Sequence, residues 1–497
     1  MLTDTKTGRA RMKYSKPTSD AMIASVACAY LRKQPRRLSQ EDPIVEQKSP
    51  DHRRSAKMST TATTALKATH NRAVESSSQE INNSHERRDV KTVLDTKPAH
   101  WDVLLKLQAA DLILSKLEHL PLPEGEVCLM EDVNQQWLSK VLGKDVEGAE
   151  LVSANSVGGH EGMTSRHKWQ LEWNDKGKAA NLPTRIFFKA TPQSPPLREM
   201  LALLHMDERE CCFYNSVGKE LEDLAPKCYY AKSYGGGRHI IILEDLDVRG
   251  AVGHWMGDSI SVAYAREVAI AFAKIHARFW NSPRFDSDMV WARPHCRRFG
   301  EPWQLDFFQR VHRLFLATDD GKNASEYVRQ VIHEWDANCV KIWEYFDRKP
   351  ATLLHGDSHL GNVLEFSDGS AGWYDLQCTF KGYGYRDLAY FTNSALTNED
   401  RVPNERAIFD LYTDTLEQNG VVIGNREEAW LDYCLLKLDR FDSTMTSLTT
   451  GGYGHARHAL ERQLRTISAA IEEHDVLTLM RRVLATGQIL PEASSTK

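Results

Sequence analysis

The sequence predicts an α+β fold of two lobes, a small β-rich lobe followed by a larger α-rich one. Three observations carry this. Apolar residues fall in short alternating runs from Leu151 to Leu246, then recur at helical spacing from Val262 onward, with one short β interruption at Leu353 to Asp375. All 12 Trp lie beyond residue 100, so the packed core begins there. Between the two regimes, His239–Leu246 (HIIILEDL) is apolar enough for a buried strand and ends as a connector.

The elements follow in order. Residues 1–100 have no Phe or Trp and are rich in Ser, Thr, Lys and Arg, which predicts a disordered extension unable to offset chain entropy by burial. Asp102 to Leu120 has leucines at helical spacing and stops at Pro121 and Pro123, so residues 101–130 are expected to form a helix and linker. A second helix is expected from Asp132 to Leu142. Leu151 to Trp173 reads as two strands about a Gly-rich bend, Gly158 to Ser165 (GGHEGMTS). TRIFFK is a strand ending on Lys189, Leu197 to Leu221 a long helix, and Tyr229 to Leu246 a hairpin turning at YGGGR. Helices are expected at Val262–Trp280, Trp303–Leu316 and Ser325–Phe346. The β lobe with its connector thus spans 131–246, the α lobe 247–485, and a flexible tail 486–497.

Composition excludes several classes. The net charge is −5, divided as +8 over residues 1–100 and −13 over the remainder, so the body is no nucleic-acid-coating polycation. Nine cysteines without a CxxC pair fit reduced thiols and not a disulfide framework or a zinc site. The longest apolar run near the N-terminus, Ala21 to Leu31, falls short of the ~20 residues a membrane span needs. The expected location is cytoplasmic, with organelle targeting through the basic extension as the alternative.

The chemistry-bearing segment is His355–Asn362, HGDSHLGN. Val363 to Phe366, the turn Ser367–Ser370 and Gly372 to Leu376 read as a hairpin, which brings Asp375 beside Asn362 although they are 13 positions apart. An Asn oxygen next to an Asp carboxylate suits Mg²⁺, which prefers hard oxygen ligands. Asp357, five residues before Asn362, is a carboxylate able to accept or orient a hydroxyl proton. The D-x-x-x-x-N spacing is that of a kinase catalytic loop.

HGDSHLGN, then YDLQ, then YRDLAYF resembles the catalytic stretch of the aminoglycoside phosphotransferase and choline kinase superfamily, in its CHK-type, ecdysteroid-kinase-like branch. The resemblance covers roughly residues 130 to 480 and implies a protein-kinase-like fold, ATP and Mg²⁺ as cofactors, and a small-molecule hydroxyl as acceptor. It implies Asp357 as the catalytic carboxylate, Asn362 and Asp375 as metal ligands, Lys189 on the nucleotide phosphates and Glu210 as its partner. It further implies adenine contacts from the backbone near Glu244 and Leu246. The bend residues Gly162, Thr164 and Ser165 would approach the phosphates. Two departures stand out: the bend is VGGHEGMTS and not GxGxxG, and the metal motif is DLQ and not DFG, which argues against a protein substrate.

Simpler readings stand beside these. His355 is expected to brace the loop, Asp387 to cap a helix and Arg386 to pair nearby. The aromatic-rich stretch 283–315 either lines an acceptor cleft or packs helices, and Asp410 and Asp414 bind an amine or form a solvated acidic face. Two competing functions remain at this point: a catalytically silent nucleotide-binding protein, and a metal-dependent hydrolase built on His355-x-Asp357-x-His359. Neither nucleic acid nor a membrane span is expected among its partners.

Overall fold

Strict alternation along Arg185–Ala190 decides how the first lobe is built. Ile186, Phe188 and Ala190 enter one apolar cluster, while Phe187 and Lys189 face the other way. A computed structural model of the chain describes residues 120–297, 303–450 and 456–491. These all belong to one compact unit. The expected extension over 1–100, the helix over 102–119 and the last six residues of the expected tail lie outside the described residues.

The first lobe opens with α1 (Gln135–Leu142), whose Asn134 cap accepts from the Trp137 amide at 2.9 Å. The expected start at Asp132 is instead a short 3₁₀ turn, Met130–Asp132. Five antiparallel strands follow: β1 (Leu151–Glu161), β2 (Ser165–Trp173), β3 (Arg185–Ala190), β4 (Cys228–Gly235) and β5 (Arg238–Glu244), in the order β1-β2-β3-β5-β4. A short α2 (Asp175–Ala179) separates β2 from β3. Gly158 and Gly159 extend β1 instead of forming the bend, which shrinks to Gly162–Thr164. Their lack of side chains was read as a turn signal, yet after a register shift between Ser156 and Gly158 both pair with β2, opposite Lys168 and His167.

The long helix expected at Leu197–Leu221 is two helices, α3 (Pro195–Leu203) and α4 (Met206–Ser216). His205 breaks them by taking a left-handed conformation, φ +52°. No Gly or Pro marks that break, so periodicity ran straight through it.

The second lobe is mainly helical. After β6 (Val252–Gly253) come α5 (Val262–Phe279), α6 (Trp303–Ala317), α7 (Asp319–Asn323) and α8 (Glu326–Phe346). A β insert follows: β7 (Thr352–Leu354), β8 (Val363–Glu365), β9 (Ala371–Trp373) and β10 (Phe380–Gly382). The chain then forms α9 (Tyr385–Ala395), α10 (Asn398–Gln418), α11 (Arg426–Thr450), α12 (Arg457–Glu473) and α13 (Val476–Thr486). α9 is buried along its whole length, so its polar residues all meet protein. Its Arg386 and Asp387 therefore become internal braces.

Two apolar clusters result. The smaller lies on the outer face of the sheet, under α1. The larger fills the helical lobe and reaches the inner sheet face through Ile241 and Leu243. Lys189 and Glu210, 3% and 1% exposed, are buried on that inner side. Among the described residues no helix is long and apolar enough to cross a membrane, and the eight cysteines are all free thiols.

Candidate active site

The hairpin β8–β9 forms as its turn residues require. Gly369 takes φ +81° and the Phe366 amide bonds the Ser370 carbonyl at 2.9 Å. Val363 pairs with Trp373, and one step further the Tyr374 amide donates to the Asn362 carbonyl at 3.3 Å. Asp375 thus follows directly on the residue facing Asn362, and adopts a left-handed φ of +63° as β9 ends.

From the sheet above, Lys189 Nζ donates to Glu210 Oε2 at 2.5 Å and to Asp375 Oδ1 at 2.8 Å. Glu210 uses its second oxygen to accept the Leu376 amide at 3.2 Å, tying α4 to the chain just past Asp375. Arg166, which the sequence reading did not single out, reaches Asp375 Oδ2 at 3.1 Å. Two cations therefore serve two carboxylates, and Asp375 touches both. Burial pushes the Asp375 carboxyl up, but Lys189 and Arg166 outweigh it and hold the group well below the carboxylate range. Glu210 shares only Lys189, so burial and the neighbouring Asp375 charge leave it above its ordinary value. Burial would lower Lys189, but the two carboxylates hold it above the usual lysine value.

The loop before the hairpin is braced from α9. Asp387 accepts from the amides of His355 (2.5 Å) and Gly356 (3.2 Å) and from the Ser358 hydroxyl at 3.3 Å. Arg386 donates to the Gly356 carbonyl at 2.8 Å and to Asp439 at 3.0 Å. Asp387 is thus a clamp on the loop rather than the helix cap its position suggested. Gly356 has φ +83°, and a Cβ there would stand 2.0 Å from the Cys378 carbonyl oxygen. His355 Nε2 bonds the Tyr374 carbonyl at 2.9 Å, and its Nδ1 accepts the Asp357 amide at 3.2 Å. Both ring nitrogens are committed, so His355 braces the loop and offers no lone pair to a metal.

Asp357 itself is half-buried, its side chain 31% exposed. Its Oδ1 accepts from the Tyr390 hydroxyl at 2.9 Å, which in turn accepts from Arg440 at 3.0 Å and meets Ser443 Oγ at 2.8 Å. Arg440 continues to Gln463, whose amide bonds the Met256 carbonyl at 2.9 Å. Burial raises the Asp357 carboxyl, but His359, Arg440, His355 and the Tyr390 hydroxyl together hold it below the ordinary range. Tyr390 and Arg440 were missed in the sequence. The Tyr of YRDLAYF lies three residues past Asp387 on α9, a spacing that offered a signal, whereas Arg440 lies in an α11 whose burial no periodicity revealed.

Asn362 is buried and donates its amide nitrogen to the Asp357 carbonyl at 2.8 Å, which leaves its side-chain oxygen as the atom to meet a cation. That oxygen and the Asp375 carboxylate, which follows directly on the residue facing Asn362, are the two protein oxygens that would hold a cation here. This fits Mg²⁺, which takes one or two protein oxygens and completes its shell with phosphate and water. Among the described residues no group of three or more His, Cys, Asp or Glu could hold a metal.

The remaining expected contacts fall as follows. Gly162 donates its amide to the Thr164 carbonyl at 3.1 Å, and Thr164 Oγ1 accepts from Arg166 Nε at 3.2 Å. Ser165 Oγ bonds Glu161 at 2.5 Å; its β3 partner is Ala190, which faces the outer cluster, so Ser165 sits on the sheet face opposite Lys189. In the connector, the Glu244 carboxylate accepts from the Lys227 amide at 2.8 Å and from Arg249 at 3.0 Å, and the Leu246 carbonyl accepts from the Ala251 amide at 3.2 Å. Asp410 and Asp414 form ion pairs with Arg406 (3.2 Å) and Arg426 (2.6 Å). In the 283–315 stretch, Phe285 and Phe315 are buried in the main core.

The model of the ecdysteroid kinase-like family matches residues 161–423, a span that holds Lys189, Glu210, the whole braced loop and the β8–β9 hairpin. The chain belongs to that family. As a member of the ecdysteroid kinase-like family it has the kinase-like two-lobed fold: the five-stranded sheet with Lys189 is the first lobe, and the braced loop belongs to the second. No curated protein sequence matches the chain. Solved structures similar to it include an aminoglycoside phosphotransferase, described as putative, from Ralstonia eutropha (14% identity, 69% of this chain and 97% of that one, TM-score 0.41). They also include a choline kinase from Streptococcus pneumoniae (15%, 68% and 99%, TM-score 0.39) and a Plasmodium vivax ethanolamine kinase (12%, 72% and 93%, TM-score 0.41). At these TM-scores the likenesses carry none of the argument below.

Proposed function

We propose that this member of the ecdysteroid kinase-like family is an ATP- and Mg²⁺-dependent phosphotransferase acting on a hydroxyl of a small molecule. The observation that carries the reading is one connected constellation: Lys189 paired to Glu210 in the sheet lobe, bonded across to Asp375, with Asn362 and Asp357 on the adjoining loop.

In this reading Asp357 accepts a hydrogen bond from the acceptor hydroxyl and orients its oxygen toward the γ-phosphorus. Held below the ordinary range, Asp357 is ionised at neutral pH and a weak base, so orientation dominates and proton transfer comes late. Lys189, kept extended by Glu210, neutralises the nucleotide phosphates. Bound Mg²⁺, held by Asn362 and Asp375, supplies charge neutralisation of the transferring group. The connector over 244–246 supplies the adenine edge contacts, and the hairpin tip over 162–164 lies toward the phosphates, with Ser165 turned to the other face of the sheet.

Two observations weigh against the alternatives. A zinc hydrolase built on His355 and His359 needs a free ring nitrogen on His355, and both are bonded within the protein. A silent nucleotide binder has no need of a clamped Asp357 loop, yet Asp387 and Arg386 hydrogen-bond to that loop at His355, Gly356 and Ser358 and to each other. The test is a screen of hydroxylated metabolites with Mg·ATP, read by mass spectrometry. The expected result is a product heavier by one phosphate with matching ADP release. ATP hydrolysis with no phosphorylated product from any acceptor would count against the reading.

A further inference from the structure

The strand register assembles a basic row that no motif contains. His160 on β1 pairs with Arg166 on β2, and Arg166 pairs with Lys189 on β3. Residues directly opposed in an antiparallel sheet share a face, so these three side chains project from one side. The next row, Glu161–Ser165–Ala190, belongs to the other side, and Ala190 identifies that side as the outer core. The basic row therefore faces the cleft over Asp375.

Arg166 is held ready there. Thr164 Oγ1 accepts its Nε at 3.2 Å, and Nη2 reaches Asp375 Oδ2 at 3.1 Å. Its side chain is 22% exposed against 4% for Lys189, so Lys189 sits at the back of the cleft and Arg166 toward its mouth. At the hairpin tip above them the Gly162 amide is already bonded to the Thr164 carbonyl at 3.1 Å. A triphosphate carries several negative charges, and a guanidinium fork is suited to bind phosphate oxygens in pairs.

We propose that Arg166 is a nucleotide-phosphate contact, the second cation beside Lys189, doing with a side chain what a glycine-rich loop does with backbone amides. The inference rests on the phosphotransferase reading above and deepens it.

Calorimetric titration of the full chain with adenosine, AMP, ADP and ATP, each with and without Mg²⁺, tests it. Arg166→Met should leave adenosine affinity unchanged and weaken ADP and ATP at least about tenfold, the size of a lost charge-assisted pair. The loss should persist without Mg²⁺, which separates phosphate binding from any effect through Asp375. Arg166→Lys should recover part of it, and serves as the working variant should Arg166→Met fail to fold. Affinities for ATP equal to wild type, or an equal loss for adenosine, would overturn the inference while leaving the kinase reading intact. If the wild-type chain binds no ATP, the kinase reading falls and this inference with it.

Discussion

Removing the Lys189 charge should cost more than removing the Glu210 charge, and removing both should restore part of the loss. The reason lies in the count of buried charges. Lys189 bonds Glu210 at 2.5 Å and Asp375 at 2.8 Å, while Asp375 has Arg166 as a second partner and, among the described residues, Glu210 has no second ion-pair partner. Glu210→Gln leaves Lys189 paired to Asp375 and the Leu376 amide still facing an oxygen, so the expected cost is about 1–2 kcal/mol. Lys189→Met strands the Glu210 carboxylate, 1% exposed, beside the like charge of Asp375, and roughly 3–5 kcal/mol is expected. The double variant removes both members of the pair, so the coupling should reach about 2 kcal/mol. Urea unfolding at pH 7 of the four proteins measures it. The pH dependence supplies a second check. In Lys189→Met the folded-state Glu210 value rises further above the ordinary 4.5, so the variant should regain stability as pH falls from that raised value toward 4.5. Additive single costs, or a Lys189→Met variant whose deficit does not shrink on acidification, would refute the shared-cation account.

Three more outcomes follow from the same geometry. Tyr390→Phe deletes the donor to Asp357 Oδ1, so the acid limb of kcat/KM should move up by roughly one pH unit; an unmoved limb would mean the hydroxyl does not set the ionisation of Asp357. Asp387→Asn removes the charge that burial opposes but Arg386 and His276 sustain, and should cost roughly 3–5 kcal/mol by thermal or urea unfolding; a cost under about 1 kcal/mol would contradict its clamp role. His312 donates to Asp442 and Asp336, which outweigh burial and raise it to about 9, so it favours the folded state below about 6.5. That contribution, roughly 3 kcal/mol, should be lost as pH rises from about 6.5 through 9, and a His312→Asn protein should lack the decline.

What the sequence made legible was whatever local pattern fixes. The strand alternation ending on Lys189, the β8–β9 hairpin with its Gly369 turn, and the helices after Val262 all rest on short-range spacing. What it hid was set by pairings between distant segments. Arg166 gained its place from the register with Lys189, which single-strand alternation cannot supply. Arg440 meets Asp357 only through Tyr390, from a helix so enclosed that its buried face shows no period. Ser165 looked like a phosphate contact because the bend was drawn five residues too wide; with Ser165 already in β2 opposite Ala190, parity turns it away from Lys189. The break at His205 had no residue signature, because a left-handed histidine is a tertiary outcome and not a propensity.

The most direct test of the central claim pairs turnover with binding in one substitution. Asp357 lies in the braced loop, apart from the residues expected to hold the nucleotide, so Asp357→Asn should bind Mg·ATP with wild-type affinity. With a confirmed acceptor, its phosphoryl transfer should fall by at least about a hundredfold. Full transfer by the Asp357→Asn protein would contradict the account.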